Sequence, residues 1–337
     1  MLEIALALGV AAPAPAQPPR AALEALAQAE ALYARRAEGA RGPVADPAGV
    51  DAAIAAYRRA LVFDPRFIEA RVGLLRALYF RGGFCDTPPA QQARIFEEAK
   101  RLGEETVARL EKDLGSPRGA ARIQALRGVP SAPGAYFWAA VSWGQWSVDH
   151  KIAAAWQGAA VRMRDLAETV VDLDPGMNQG SAYLILGRLH AECPKIPMLT
   201  SWISRQKALS NLRQALALGP VNTPNLYFLA DAILTFESAH EDEARRLLDR
   251  CASAAPRAEY LVEDAHYAEM ARQRLAALGQ TTGATASEAP PRPTPEPKRR
   301  RPRAEHAVGT VRVASLGTVS PEPPARSLPS VPGSRRR

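Results

Sequence analysis

From residue 17 to residue 279 the apolar positions recur at helical spacing between short Gly/Pro breaks, with almost no alternating β-branched runs, and the pattern predicts an all-α chain. One predicted start is Asp86-Thr87-Pro88-Pro89, a polar cap followed by prolines whose missing N–H is not needed in a first turn. The helix it opens carries Ile95, Leu102, Val107 and Leu110 and stops at Gly115. On its outer face Glu97/Arg101 and Glu105/Arg109 read as solvated i,i+4 ion pairs. The aromatic stretch Pro133 to Lys151 carries two adjacent stripes, Ala139-Trp143-Trp146-His150 and Phe137-Val141-Gly144-Val148, so this helix is expected to be buried over much of its circumference.

A repeat organises these helices. AIAAYRRALVFDP sets Ala53, Tyr57, Ala60 and Pro65 at steps of four, three and five; Ala208, Leu212, Ala215 and Pro220 repeat those steps, and so do Ala244, Leu248, Cys251 and Pro256. A small, large, small face lets a neighbouring helix approach closely around one bulky side chain, and the proline ends the unit. A looser copy, RDLAETVVDLDP, ends at Pro175 and leads into SAYLILGRLHAECP.

With proline in register in three copies, the chain resembles the tetratricopeptide repeat, a stack of helix pairs of about 34 residues. The order of parts, from the aromatic helix AYFWAAVSWGQW through VVDLDP, LILGRLHAECP and a long loop to SRQKALSNLRQALALGP and NLYFLADAIL, is similar to the tetratricopeptide T component associated with periplasmic TRAP transporters, over residues 50 to 270. That resemblance implies an α-solenoid and a non-enzymatic periplasmic scaffold that associates with a solute-binding protein and conducts a ligand. Lipid anchoring is common in such proteins, and no cysteine stands beside the cleavage pattern here; the basic tail is not part of the family pattern either.

Charge separates the ends from the middle. Residues 280 to 337 hold 11 Lys and Arg against 4 Asp and Glu, a net of +7, which leaves 32 against 31 in residues 1 to 279, so nearly all of the formal +8 belongs to the tail. That tail, EAPPRPTPEPKRRRPRAE onward, is Pro/Ser/Arg-rich and is expected to be disordered. Residues 1 to 16 read as a signal peptide, with an apolar run from Ile4 to Ala12 and Ala14-Pro15-Ala16 before Gln17. The expected location is therefore periplasmic or secreted, with a cytoplasmic protein as the alternative. No later run is long enough to span a membrane. Cys85, Cys193 and Cys251 lie too far apart in sequence for a recognisable zinc motif and read as buried thiols.

The chemical signatures are incomplete. His190-Ala191-Glu192 lacks the later P-C-x-x-C of a zinc deaminase. Ser204-x-x-Lys207 lacks the motifs of a serine acyltransferase and reads as a helix start. Glu263-x-x-His266 has no second copy and reads as a solvated helix face. No catalytic residue, cofactor or metal is expected. Solenoids bind on their concave side. The candidate lining is Tyr136, Trp138, Trp143 and Trp146, with Trp156 and Trp202 closing the pocket and Tyr227, Asp231 and Arg76 as polar contacts. Core packing is the competing reading of the same aromatics. The expected partners are a protein, such as a periplasmic solute-binding protein, and a small organic ligand. Nucleic acid is not expected, and self-association is left open. The alternative is a cytoplasmic adaptor whose tail docks on an acidic partner or nucleic acid.

Overall fold

A computed structural model describes residues 17–287, with side chains to Gln280. The expected signal segment at 1–16 and the tail beyond Ser287 lie outside the described residues. Thirteen α-helices and no β-strand occur among the described residues. They are α1 (Arg20–Ala34), α2 (Pro47–Phe63), α3 (Ile68–Phe84), α4 (Pro89–Asp113), α5 (Gly119–Arg127), α6 (Ala132–Asp149) and α7 (Lys151–Trp156). After them come α8 (Ala159–Leu173), α9 (Met177–Glu192), α10 (Arg205–Leu218), α11 (Thr223–Phe236), α12 (Glu241–Ser253) and α13 (Leu261–Ser287). The last helix thus continues past residue 279, into the range expected to lack structure. Among the described residues no helix is long and apolar enough to cross a membrane.

The helices stack as antiparallel hairpins, α1/α2, α3/α4, α6/α8, α9/α10 and α11/α12, with α13 laid on the last pair and the short α5 and α7 inserted around α6. The repeat positions make the contacts their spacing implies. Ala53, Tyr57 and Ala60 on α2, Ala208, Leu212 and Ala215 on α10, and Ala244, Leu248 and Cys251 on α12 are all buried. The bulky member of the face sits in a notch that only glycine leaves open: a Cβ on Gly73 of α3 would fall 2.2 Å from the Tyr57 ring, and one on Gly187 of α9 would fall 2.6 Å from Leu212. Close backbone approach is how a chain rich in alanine buries enough area to hold these pairs together.

Two local expectations change. The first turn of α4 is capped by Pro88 without a side-chain acceptor, while the Thr87 hydroxyl donates back to the Arg81 and Cys85 carbonyls at 3.0 and 3.1 Å. Glu97 is not a surface partner of Arg101. It accepts the indole N–H of Trp146, because α6 packs along α4 and brings a buried ring over that carboxylate. Arg101 reaches forward to Glu105 instead, at 2.8 Å.

Rotation from pair to pair carries the chain round until α13 meets α3. Val262 of α13 is fully buried in the N-terminal core beside Leu75, Phe80 and Phe84. Arg36, just beyond α1, pairs with Glu263 at 2.8 Å and donates to the Glu259 carbonyl. His266 meets Phe84 edge-on with ring centroids 5.4 Å apart, and the neighbouring Tyr267 is buried. Glu263 and His266 are therefore an inner seam and not the solvated face their spacing suggested, since the surface that receives them belongs to the opposite end of the sequence. The inner side of the solenoid is accordingly bounded by α13 as well as by the earlier repeats.

Candidate functional site

The seam borders a half-open cavity of about 1060 Å³. Its wall comes mainly from the first helix of each pair, α1, α3, α6 and α9, completed by α13, the short α7, the start of α8 and the loop from Cys193 to Thr200. The second helices α2, α4, α10 and α12 form the outer layer and contribute no lining residue.

The lining is segregated. Where α6, α7, α8 and the loop meet, it is apolar, with Val141, Val148, Ala155, Met163 and Leu199 among its members. Where α1, α3 and α13 meet, it is aromatic and charged. There Arg76 pairs with Glu30 at 2.6 Å, donates to the Tyr57 hydroxyl at 3.1 Å and stands 4.1 Å over the Tyr33 ring. Arg188 of α9 grips both oxygens of Glu192, at 2.8 and 3.0 Å, and covers the Phe228 ring at 4.0 Å. Burial raises the carboxyl of Glu263 despite the opposing pull of Arg36, and burial also raises the Tyr33 phenol.

At the start of α9 the wall is strained. Asn178, Gln179 and Gly180 all adopt left-handed backbone, with φ of 46°, 61° and 80°. A non-glycine residue there costs of order 1 kcal/mol or more. The buried Asn225 offsets this by donating to the carbonyls of Gln179 at 3.0 Å and Ala215 at 2.8 Å. The Arg257 guanidinium, held by Asp264 at 2.6 Å, reaches the Gln179 side chain at 3.2 Å.

Of the nine residues expected from sequence, the cavity brings together Trp138 and Arg76. Trp138 packs against Tyr79 with ring centroids 5.4 Å apart. Tyr136 is buried in the core between α4 and α6, its hydroxyl donating to Glu111 at 2.6 Å. Trp143 and Trp146 are buried with the Lys100 ammonium 4.4 and 4.3 Å from their ring centres, and Trp146 stacks on His150. The helix turns this stripe toward α4 and α8, away from the cavity. Trp156 points into solvent at 87% exposure. The loop that carries Trp202 does line the cavity, yet the indole itself turns onto His190 and under Arg164. Tyr227 packs on Phe228 and Tyr267, with its phenol pushed up to about 12 by burial, and Asp231 pairs with Arg274 at 3.1 Å.

Missing from the sequence reading are Tyr33, Arg36, Tyr79, Arg188 and Tyr267, while Glu263 reads there as part of a solvated face. Their signal was polarity on otherwise buried helix faces, and it becomes visible only when the ends of the chain meet.

Among the described residues no group of three or more His, Cys, Asp or Glu is arranged to hold a metal ion. Ser204 caps α10 by accepting the Lys207 N–H. The His190 ring, pushed down to about 4 by burial and then by nearby Lys207 and Arg164, accepts the Ser204 N–H through Nδ1 at 3.2 Å. Burial raises all three thiols; Cys85 and Cys251 lie in the core, and Cys193 is half-exposed beside the cavity.

No family model matches the chain, and no curated protein matches it. Among solved structures it is similar to a thermophilic TPR protein, TTC0263, from Thermus thermophilus, at 19% identity and a TM-score of 0.48, over 76% of this chain and 98% of that one. The architecture rests on the packing described above: stacked helical hairpins with small, large, small faces, a helical repeat scaffold of tetratricopeptide type.

Proposed function

We propose that this protein is a non-enzymatic binding scaffold that holds a small organic ligand in its central cavity. The observation that carries the reading is the cavity itself, of a volume suited to an organic molecule, apolar over much of its wall and furnished with a few fixed charged groups. Its acids and bases are tied to one another, as in Arg36 with Glu263 and Arg188 with Glu192, which suits holding a molecule better than transforming it. The order of repeat units and the apolar leader support an exported accessory of a TRAP-type solute transport system, with a solute-binding protein as partner on the outer layer.

Native mass spectrometry of the protein purified from its own host tests this. A stoichiometric small-molecule adduct on wild type that is missing from Val148→Trp, a variant that fills the cavity, is the expected result. Bare protein in both, or the same adduct on both, overturns the reading. Mature protein beginning at Gln17 is expected for the exported form, and an unprocessed N-terminus counts against it.

A further inference from the structure

We infer that the short α7 and the loop from Cys193 to Thr200 form one surface that docks on an anionic lipid bilayer. The surface lies beside the cavity and stands whether or not the cavity holds a ligand. Two observations carry it.

The first is projection. Ile152 and Trp156, one helical turn apart on α7, are 78% and 87% exposed, and Met198 and Leu199 in the loop are 96% and 58% exposed. The two groups belong to neighbouring elements. Ala154 and Ala155 line the same cavity as Ile196 and Leu199, and Arg164, on the helix that follows α7, covers the Trp202 ring at 4.7 Å and ties the loop to it. The loop is pinned as well: the Thr200 hydroxyl donates to the Pro194 carbonyl at 2.6 Å and accepts the Ile196 N–H at 2.7 Å. Clustered exposed apolar side chains mark a contact surface. A protein partner needs a separate hole for each projecting side chain, whereas the bilayer interface takes aliphatic tips and an indole without a matching shape.

The second is charge. Lys151 directly precedes Ile152, Lys195 directly precedes Ile196, and Arg162 reaches back to the Gln157 carbonyl at 3.2 Å, next to Trp156. All three cations are exposed, and none is in an ion pair among the described residues. The acids around them are mostly committed. Glu192 holds Arg188, and Asp165 and Glu168 flank Arg164 at 2.7 and 3.9 Å, which leaves Asp149 against three cations. Cations set at the foot of apolar tips meet lipid phosphates while the tips reach the boundary of the acyl chains. Because no helix among the described residues is long and apolar enough to cross a membrane, the contact these elements make is interfacial.

The test is flotation of the full-length protein with phosphatidylcholine vesicles, pure or containing about a third phosphatidylglycerol. Wild type is expected to float with the anionic vesicles, and lipid brominated on its acyl chains should quench a tryptophan signal that is missing from Trp156→Phe. Trp156→Ser combined with Met198→Ser should weaken binding about tenfold or more. Lys151→Gln combined with Lys195→Gln should weaken it about fivefold for each cation removed. All four side chains are exposed, so these variants should melt with wild type. The basic tail is the same in every variant, so binding that survives both pairs of substitutions is carried by the tail and overturns the surface. Failure of wild type to float overturns it as well, and equal flotation with pure phosphatidylcholine overturns the anionic preference. Sedimentation velocity without lipid should give the same monomer for wild type and the Trp156/Met198 variant. A wild-type dimer that this variant dissociates would assign the face to a second copy of the chain and overturn the bilayer.

Discussion

Arg36 and Glu263 join ends of the chain that are 227 residues apart in sequence, and their coupling can be measured. The side chains are 8% and 15% exposed, so solvent screens them little. Arg36→Met keeps most of the apolar stem, removes the bonds at 2.8 and 3.3 Å, loses the donation to Glu259 and leaves a buried carboxylate without its counter-charge. Breaking a buried pair from one side costs about 3–5 kcal/mol. Glu263→Gln retains an oxygen for Arg36 and should cost less, about 2 kcal/mol. Once either partner has gone, removing the other matters less, so a double-mutant cycle in urea should return a coupling of about 1.5 kcal/mol or more. The acid dependence has a definite sign. Burial raises the folded-state carboxyl above its unfolded value, and losing Arg36 raises it further. The folded variant therefore binds a proton more readily than its unfolded chain, and its deficit should shrink as the pH is lowered from 8 toward 5. Additive single mutants, with coupling under about 0.5 kcal/mol, would mean that the seam does not form and would refute the argument.

Further consequences concern the core and the pH response. Trp143→Ala should lose about 3–5 kcal/mol, read from urea unfolding, because the ring is buried against Trp146 and Lys100; Trp138→Ala, on the cavity wall, should cost less stability but more ligand. Gly73→Ala places a methyl into the buried Tyr57 ring, which Glu30 holds by its hydroxyl at 2.7 Å, and should destabilise by about 1–3 kcal/mol; an unchanged melting point would show that the notch is loose. His190, held neutral with a folded value of about 4 beneath an unfolded value near 6.5, binds protons more readily when unfolded. Its contribution is therefore lost as the pH falls through that window, about 2 kcal/mol between pH 8 and pH 5, and His190→Gln should flatten that part of the stability profile.

The hairpins were legible because their cause is local. Ala53-Tyr57-Ala60 and its copies encode a helix face and its stop within one short segment, and the structure buries those side chains. The aromatic helix was legible in part, since two apolar stripes announce burial but not which neighbour each stripe meets. Trp143 and Trp146 meet α4 and α8, whereas Trp138, on a third side, reaches the cavity. What the sequence withheld depends on accumulated rotation from pair to pair. A small turn at each interface decides whether Glu263 meets water or Arg36, and no spacing near either residue records it. For the same reason Arg188 and Tyr79, unremarkable in their own helices, belong to the site, while the exposed Trp156 stands outside it.

Whether the inner face is a closed cavity or an open groove is the point on which the account turns, and a distance across the seam decides it. Spin labels at Arg35→Cys and Glu259→Cys, in a chain whose half-exposed Cys193 is changed to serine, flank the Arg36 contact to the Glu259 carbonyl. Pulsed dipolar spectroscopy should give one narrow, short-distance population that broadens in Arg36→Met. A broad, long-distance distribution in the otherwise unaltered chain would contradict closure and, with it, the ligand site.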